Sequence, residues 1–299
     1  MNTWPPMSSF SDMLQQPQRA FVDPELKKCE LRKYPRNPQP FGIPGQFAVV
    51  YEAKLPNGSK AAIRAFKSYR REIRDRYRAI SDHLAQHKGR LACLVGFEYV
   101  EKGLRATDGN LYPMIRMEWV TGDTLFDWVN KKCIARDRPA LARASQRWCQ
   151  LIQELQTAQI AHGDLQHNNV LVNGQDEFKL VDYDCMCVPA LVNEPNLEIG
   201  VVPYQHPQRD CDTRLSLALD NFSALFIYVA LVALSEQPDL WDRHVLADDY
   251  EKLLFRKSDF EAPQRSGLYQ TVIKSANSDL VRLTKTLFEL YRKNLADVP

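Results

Sequence analysis

Several things are scarce in this sequence, and each scarcity excludes something. Across 299 residues the formal net charge is only +2, so no strong single-sign field points to nucleic-acid or membrane binding. No apolar run reaches the roughly eighteen residues needed to span a bilayer. Residues 1–10 lack the basic-then-apolar layout of a secretory signal. Seven cysteines, an odd number without a dense framework, fit reduced thiols better than disulfides. Cys185 and Cys187 form a C-x-C, but no second Cys/His pair stands at zinc spacing, and His206 and Cys211 are isolated. The expectation is a cytoplasmic globular chain of one large domain or two lobes, with 44% hydrophobic and 25% charged residues.

Residues 1–40 are rich in Pro and Gln, with Pro5, Pro6, Pro17, Pro24, Pro35, Pro38 and Pro40. That composition predicts an irregular N-terminal extension, partly disordered at its start, in which Ala20-Phe21-Val22 could dock against the domain C-terminal to it. From Gly42 the character changes. Residues 45–53 read as a strand, Pro56-Asn57-Gly58-Ser59 as a turn and 61–66 as the return strand. Residues 69–87 read as a helix with Tyr77, Ile80 and Leu84 on one apolar stripe. Its arginines, Arg70, Arg71, Arg74, Arg76 and Arg78, read as a solvated basic face. Strand-like runs come next at 93–100 and 111–119. A helix begins at Leu125, capped by Asp123 or Thr124. Residues 141–161 read as a long amphipathic helix with Trp148, Leu151, Ile152 and Leu155 toward the core. Residues 222–234 form an apolar run expected to be a buried helix, and 235–299 look helical and scaffold-like.

The chemistry is concentrated in two stretches. One is His162-Gly163-Asp164-Leu165-Gln166-His167-Asn168-Asn169, which runs into Val170-Leu171-Val172. The other is Lys179-Leu180-Val181-Asp182-Tyr183-Asp184. An Asn173-Gly174 pair between the two apolar runs signals a hairpin. Such a hairpin returns Asp182 beside the Asp164 loop, so that two carboxylates and the Asn169 amide face one small volume.

This pattern, H-x-D-x-x-x-x-N on a loop, a hairpin and then an Asp, resembles the catalytic core of the protein-kinase superfamily. Eighteen positions separate Asp164 from Asp182, as that hairpin requires. Tyr204-Gln205-His206-Pro207-Gln208 resembles the end of the family's activation segment, and Asp220-Asn221-Phe222-Ser223 the start of its central large-lobe helix. The resemblance implies an α+β, two-lobed fold: a small antiparallel β lobe over 41–120 and a mostly helical large lobe over 121–299. It implies ATP and Mg2+ as cofactors and a phosphotransferase acting on protein Ser/Thr hydroxyls. Asp164 becomes the catalytic base, and Asn169 and Asp182 the magnesium ligands. Gly45 belongs to the phosphate loop and Arg64 stands at the phosphate-gripping lysine. Backbone groups of Glu118 to Val120 meet the adenine, with Met117 behind them. His162 packs beneath the loop, and Asp220 hydrogen-bonds its backbone or caps its own helix.

The departures from the family pattern are specific. The glycine-rich loop becomes Ile43-Pro44-Gly45-Gln46-Phe47-Ala48 and keeps only the middle glycine. Arg64 replaces lysine, with a longer, planar fork; Lys67 falls on the opposite face of a continuing strand. The acidic partner of the strand cation is Glu72, Asp75 or Asp82. Gly163 replaces the arginine of H-R-D, and residues 183–206 contain no Ser or Thr, so no Ser/Thr-phosphorylation switch is expected there. Asp184 and Gln208 stand where the family has glycine and glutamate, and Val201-Val202 stand where Ser/Thr kinases place a threonine. The same departures leave two alternatives open: a pseudokinase that binds nucleotide or a protein partner, or a small-molecule kinase or nucleotidyl transferase.

Overall fold

Burial along the strands fixes where the first sheet lies. In the computed structural model, β4 (Lys60–Phe66) is buried at every position after Lys60, as a strand covered on both faces must be. It lies between β3 (Ala48–Lys54) and β6 (Leu111–Glu118) in an antiparallel sheet of order β1-β3-β4-β6-β5, with β2 also paired to β3. The flanking strands are β1 (Glu30–Leu31), β2 (Gly42–Pro44) and β5 (Phe97–Arg105). The β3–β4 turn uses Gly58 at φ +85°, with Gly58 N–H on Leu55 O and Leu55 N–H on Ser59 O. The structure describes residues 4–45, 47–68, 71–196, 199–247 and 252–298. Gln46 of the expected first strand, and Tyr69 and Arg70 of the expected helix, lie outside them.

The chain forms two compact units. The first is Met1–Arg90 with Val95–Val120, the second Leu91–Leu94 with Thr121–Pro299. In the first, helix α3 (Arg71–Gln86) buries Ile73, Tyr77, Ile80 and Leu84. The basic face is only partly a solvated one. Arg71 and Arg74 pair with Asp75 and Arg78 pairs with Glu101, but Arg76 is buried.

The N-terminal segment corrects the expectation of an irregular extension. Residues Met7–Leu14 form α1 and Pro17–Ala20 form α2, succeeded by a 3-10 turn at Leu26–Lys28 and by β1. Composition misled here because the prolines sit where helices tolerate them: Pro6 precedes α1 and Pro17 occupies the first turn of α2. Phe10, Leu14, Ala20, Phe21 and Leu26 share one buried cluster with Tyr51, Ile63, Leu104 and Met114. Polar contacts fix the register: Ser9 Oγ lies 2.6 Å from Thr107 Oγ1, Ser11 Oγ 2.9 Å from Tyr51 Oη, and Trp4 Nε1 donates to Phe66 O at 3.1 Å. Ala20 and Phe21 are buried, whereas the Val22 side chain is exposed.

Two element boundaries also differ. The strand expected at 93–100 begins at Phe97, because residues 91–94 belong to the second unit, where Leu180 N–H donates to Cys93 O at 2.7 Å. The helix expected at 141–161 is α5 (Arg138–Thr157); the Asp137 side chain caps it on Ala140 N–H, and Gln159 at φ +56° ends the run.

The second unit is mostly helical. It comprises α4 (Leu125–Ile134), α5, α6 (Asn221–Glu236), α7 (Asp239–His244), α8 (Lys257–Glu261), α9 (Gly267–Val272) and α10 (Ser278–Leu290). Thr124 caps α4 through Asp127 N–H. A small sheet pairs β7 (Asp123–Thr124), β8 (Val170–Val172) and β9 (Phe178–Leu180) in that order. Helix α6 is buried along most of its length, and Trp148 of α5 donates from Nε1 to Ala224 O at 2.9 Å. Phe222, Phe226, Phe255, Phe260 and Phe288 form the aromatic core around it, with Phe260 and Phe288 stacked at 4.4 Å. Among the described residues no helix is long and apolar enough to cross a membrane.

Truncating Phe10 to Ala removes a large ring from the first unit's core and should cost about 3–5 kcal/mol in urea unfolding; an irregular extension would show no loss. All seven cysteines are free, five of them buried. Burial pushes the Cys29 thiol up to about 11 and those of Cys93 and Cys133 up to about 12. Iodoacetamide at pH 8 should therefore alkylate Cys149 and Cys211 in native protein, with the other five reacting only after unfolding, as read by peptide mass spectrometry.

Candidate active site

The acidic loop hangs from the end of α5. Ala161 and Cys187 exchange both backbone hydrogen bonds, N–H to O at 3.0 and 2.8 Å, which ties the start of the loop to the segment after Asp182. His162 is fully buried. Its Nε2 donates to Val181 O at 2.9 Å, which fixes the tautomer and leaves Nδ1 to accept Asp164 N–H at 3.4 Å. Its ring stands edge-on to Tyr183, centroids 5.8 Å apart.

Asp220 precedes α6 without capping it; no side-chain cap bond is made. Its Oδ2 instead accepts His162 N–H, and its Oδ1 accepts Gly163 N–H at 2.8 Å. Burial pushes the Asp220 carboxyl above the usual carboxylate range, while His162, the two amides and Arg209 act in the opposite direction. Gly163 has φ +80°, and a Cβ there would lie 2.1 Å from Cys185 O. An arginine, or any side chain, is therefore sterically barred from this position.

Asp164 is 9% exposed. Asn169 Nδ2 donates at 2.9 Å both to Asp164 O and to Asp164 Oδ2. Since both partners are acceptors, the amide orientation is determined, and Asn169 Oδ1 faces away from Asp164. The Asn169 backbone joins the hairpin: Val181 N–H donates to Asn169 O at 3.0 Å. Val181 is thus gripped through its N–H by Asn169 and through its C=O by His162, and it sets the position of the next residue, Asp182. Asp182 is exposed and adopts φ +65°, a conformation that Asp accepts more readily than most side chains.

The hairpin between them is closed differently from the expectation. The Asn173-Gly174 pair does not form a two-residue turn. Residues 173–177 make a longer loop, in which Asp176 takes φ +58° and Asn173 Oδ1 accepts the N–H groups of Gln175 and Glu177. Asn173 acts through its side chain, which the dipeptide rule does not anticipate.

A second layer closes over Asp164. Val201 N–H donates to its Oδ1 at 3.2 Å and Gln205 Nε2 at 3.4 Å. Gly200, at φ +83°, packs on both, since a Cβ there would lie 2.7 Å from Asp164 Oδ1 and 2.7 Å from Gln205 Nε2. Tyr204 is fully buried, with its hydroxyl 2.6 Å from His167 Nδ1 and its ring against Phe226.

The remaining candidates lie in the first unit. Arg64, in β4, is 6% exposed, and its guanidinium carbon stands 5.9 Å from the Tyr77 ring centre of α3. Glu72, Asp75 and Asp82, the acids considered for it, are not buried, and Asp75 pairs with Arg71 and Arg74. Gly45 sits at the turn between β2 and β3, where its N–H donates to Ala48 O at 2.8 Å and its carbonyl accepts the Lys67 ammonium. Lys67 reaches it because β4 ends at Phe66, so the expected strand alternation no longer applies. Glu118 N–H is committed to Gly96 O at 3.0 Å and Trp119 N–H to Lys60 O at 3.2 Å; Val120, the next residue, is half-buried.

The oxygen donors that could hold a cation are the Asn169 amide and the Asp182 carboxylate. Among the described residues no group of three or more His, Cys, Asp or Glu side chains could hold a metal. Two hard oxygen donors suit a magnesium ion that takes its other ligands from water and substrate phosphates. Sequence reasoning missed Gln205 and Arg209. Their only trace was position within the Tyr204–Gln208 stretch and just after it, and neither residue type signals a site by itself.

No curated protein matches the chain. The family model described as "Protein kinase domain" matches residues 42–288. That span takes in both units, the loop that carries Asp164 and Asn169, and the helix that Asp220 precedes, so the chain belongs to the protein-kinase superfamily.

Proposed function

We propose that the chain is an ATP- and magnesium-dependent phosphotransferase that acts on protein Ser/Thr hydroxyls. The observation that carries this reading is the Asp164–Asn169 pair. One amide, oriented by two acceptors, holds the carboxylate in place and turns its own oxygen outward. Asp164 orients the acceptor hydroxyl and takes up its proton as the new O–P bond forms and the bond from the γ-phosphorus to the β–γ bridging oxygen breaks, with ADP as the leaving group. Asn169 Oδ1 and the Asp182 carboxylate would hold magnesium, which neutralises phosphate charge when bound. Val181, held by Asn169 and His162, keeps the Asp182 backbone in register with the loop. In the first unit, Arg64 supplies positive charge for phosphate, Gly45 belongs to the phosphate loop, and the Glu118 and Val120 backbone meets the adenine. A protein acceptor is favoured over a small molecule because the family match runs to residue 288 and because the Tyr204 segment packs into the α6 core.

A second reading, a pseudokinase that binds nucleotide or a partner, has its own support. The Gly45 N–H is used internally on Ala48 O, Arg64 is buried against Tyr77, and the Gly200-Val201 backbone covers one oxygen of Asp164. Two measurements separate the readings. ATP with magnesium should raise the melting temperature of wild type but not of Asp182→Ala. Phosphate transfer from radiolabelled ATP should fall at least about a hundredfold in Asp164→Asn. A wild type that neither shifts nor transfers phosphate supports the pseudokinase.

The activation segment gives a third expectation. Tyr183 and Tyr204 carry the only hydroxyls within residues 183–206, and both are fully buried. After incubation with ATP and magnesium, peptide mapping should find no phosphate on this segment in folded protein, and Phe in place of either tyrosine should leave phosphate transfer within about twofold of wild type.

A further inference from the structure

The carboxylate of Asp164 is reached by a buried chain of three side chains that begins at Arg209. Arg209 is 5% exposed, and its Nη1, which carries two protons, donates to both Gly163 O and Gln205 Oε1. A guanidinium has no acceptor, so Gln205 must present its oxygen to Arg209 and its NH2 to the other side. That NH2 donates to Asp164 Oδ1 at 3.4 Å. Gln205 is itself 5% exposed, so its amide cannot turn to water. The polarity of the chain is therefore fixed: cation, amide dipole, carboxylate. Gly200 closes the stack from above, because any Cβ there would press on both Gln205 Nε2 and Asp164 Oδ1.

We infer that Gln205 and Arg209 are positioning residues for the catalytic base: together they hold Asp164 in the rotamer that faces the acceptor hydroxyl. This rests on the reading of Asp164 as the base. Charged and titratable groups joined to the chain by hydrogen bonds or adjacent in it include Asp164, Arg209, Asp220, His162, Tyr204 and His206. Asp220 faces Arg209 across the Gly163 peptide, holding the N–H of Gly163 while Arg209 holds its C=O. Arg209 is thus pinned between an acid on one side and an amide on the other. It reaches Asp164 through Gln205.

The test uses Gln205→Glu, which keeps the shape and the Arg209 contact but replaces the N–H donor with a carboxylate oxygen. Gln205→Met, which removes both polar ends, and Gly200→Ala, which wedges the pair apart, serve as second and third variants. Melting temperatures confirm folding. Phosphate transfer is measured against ATP concentration. The expected result is a kcat lower by about tenfold to a hundredfold with KM for ATP unchanged. A kcat like that of wild type in all three variants would overturn the inference. An arm independent of turnover tracks the carboxyl resonance of Asp164 in protein labelled with 13C-aspartate, assigned by its loss in Asp164→Asn. It should move in Gln205→Glu; an unmoved resonance overturns the inference. If wild type transfers no phosphate, the proposed function fails, and this resonance alone decides whether Gln205 controls Asp164.

Discussion

The arrangement of the second unit depends on one buried carboxylate. Asp220 accepts the backbone N–H groups of His162 and Gly163, and Arg209 holds the carbonyl of that same Gly163. Hydrogen bonds to charged groups contribute about 1.5–3 kcal/mol each, and removing one member of a buried charged set costs about 3–5 kcal/mol because the other is left exposed to low dielectric. The energy is less important here than the geometry. Two side chains of opposite charge grip the two peptide groups on either side of Gly163, Asp220 through the Gly163 N–H and Arg209 through the Gly163 carbonyl, and the second of these peptides leads directly into Asp164.

Once the peptide is clamped, the other contacts have little freedom. Cys185 O lies so close to Gly163 that no side chain fits, which accounts for H-G-D in place of H-R-D on steric grounds. Val181 is held on one side by His162 and on the other by Asn169, and Asp182 is placed by it. The segment beyond is anchored by interior groups, with Tyr183 Oη on Leu180 O at 3.0 Å and Tyr204 Oη beside His167. The two hydroxyl-bearing side chains of this stretch, Tyr183 and Tyr204, serve as packing.

The sequence made the loop, the hairpin and the buried α6 helix legible, because each rests on short-range spacing: Asp164 to Asn169, Val170 to Asp182, Phe222 to Leu234. What it hid depends on long-range partners. Arg209 carries no site signal of its own until Gly163 and Gln205 are found beside it. Asp220 reads equally well as a helix cap, and only tertiary structure sends both its oxygens to the loop. Arg76 sits within an arginine-rich, solvated-looking run, yet packing buries it. Proline and glutamine content points to an irregular segment over 1–40, disordered only at its start, whereas Phe10, Leu14 and Phe21, widely spaced in that segment, are what the fold uses.

The docking of that segment carries a consequence for the order of events during synthesis. Ser9 and its partner Thr107 are 98 positions apart, and Phe21 bridges to Leu104 in the same region. A ribosome adding about 5–20 residues per second makes Ser9 roughly 5–20 s before Thr107. During that interval the cluster of Phe10, Leu14, Phe21 and Leu26 can meet Tyr51 and Ile63 but lacks Leu104 and Met114. Burial of α1 and α2 is thus completed only once β5 and β6 have been made, and until then these side chains are apolar surface that a nascent-chain chaperone would meet.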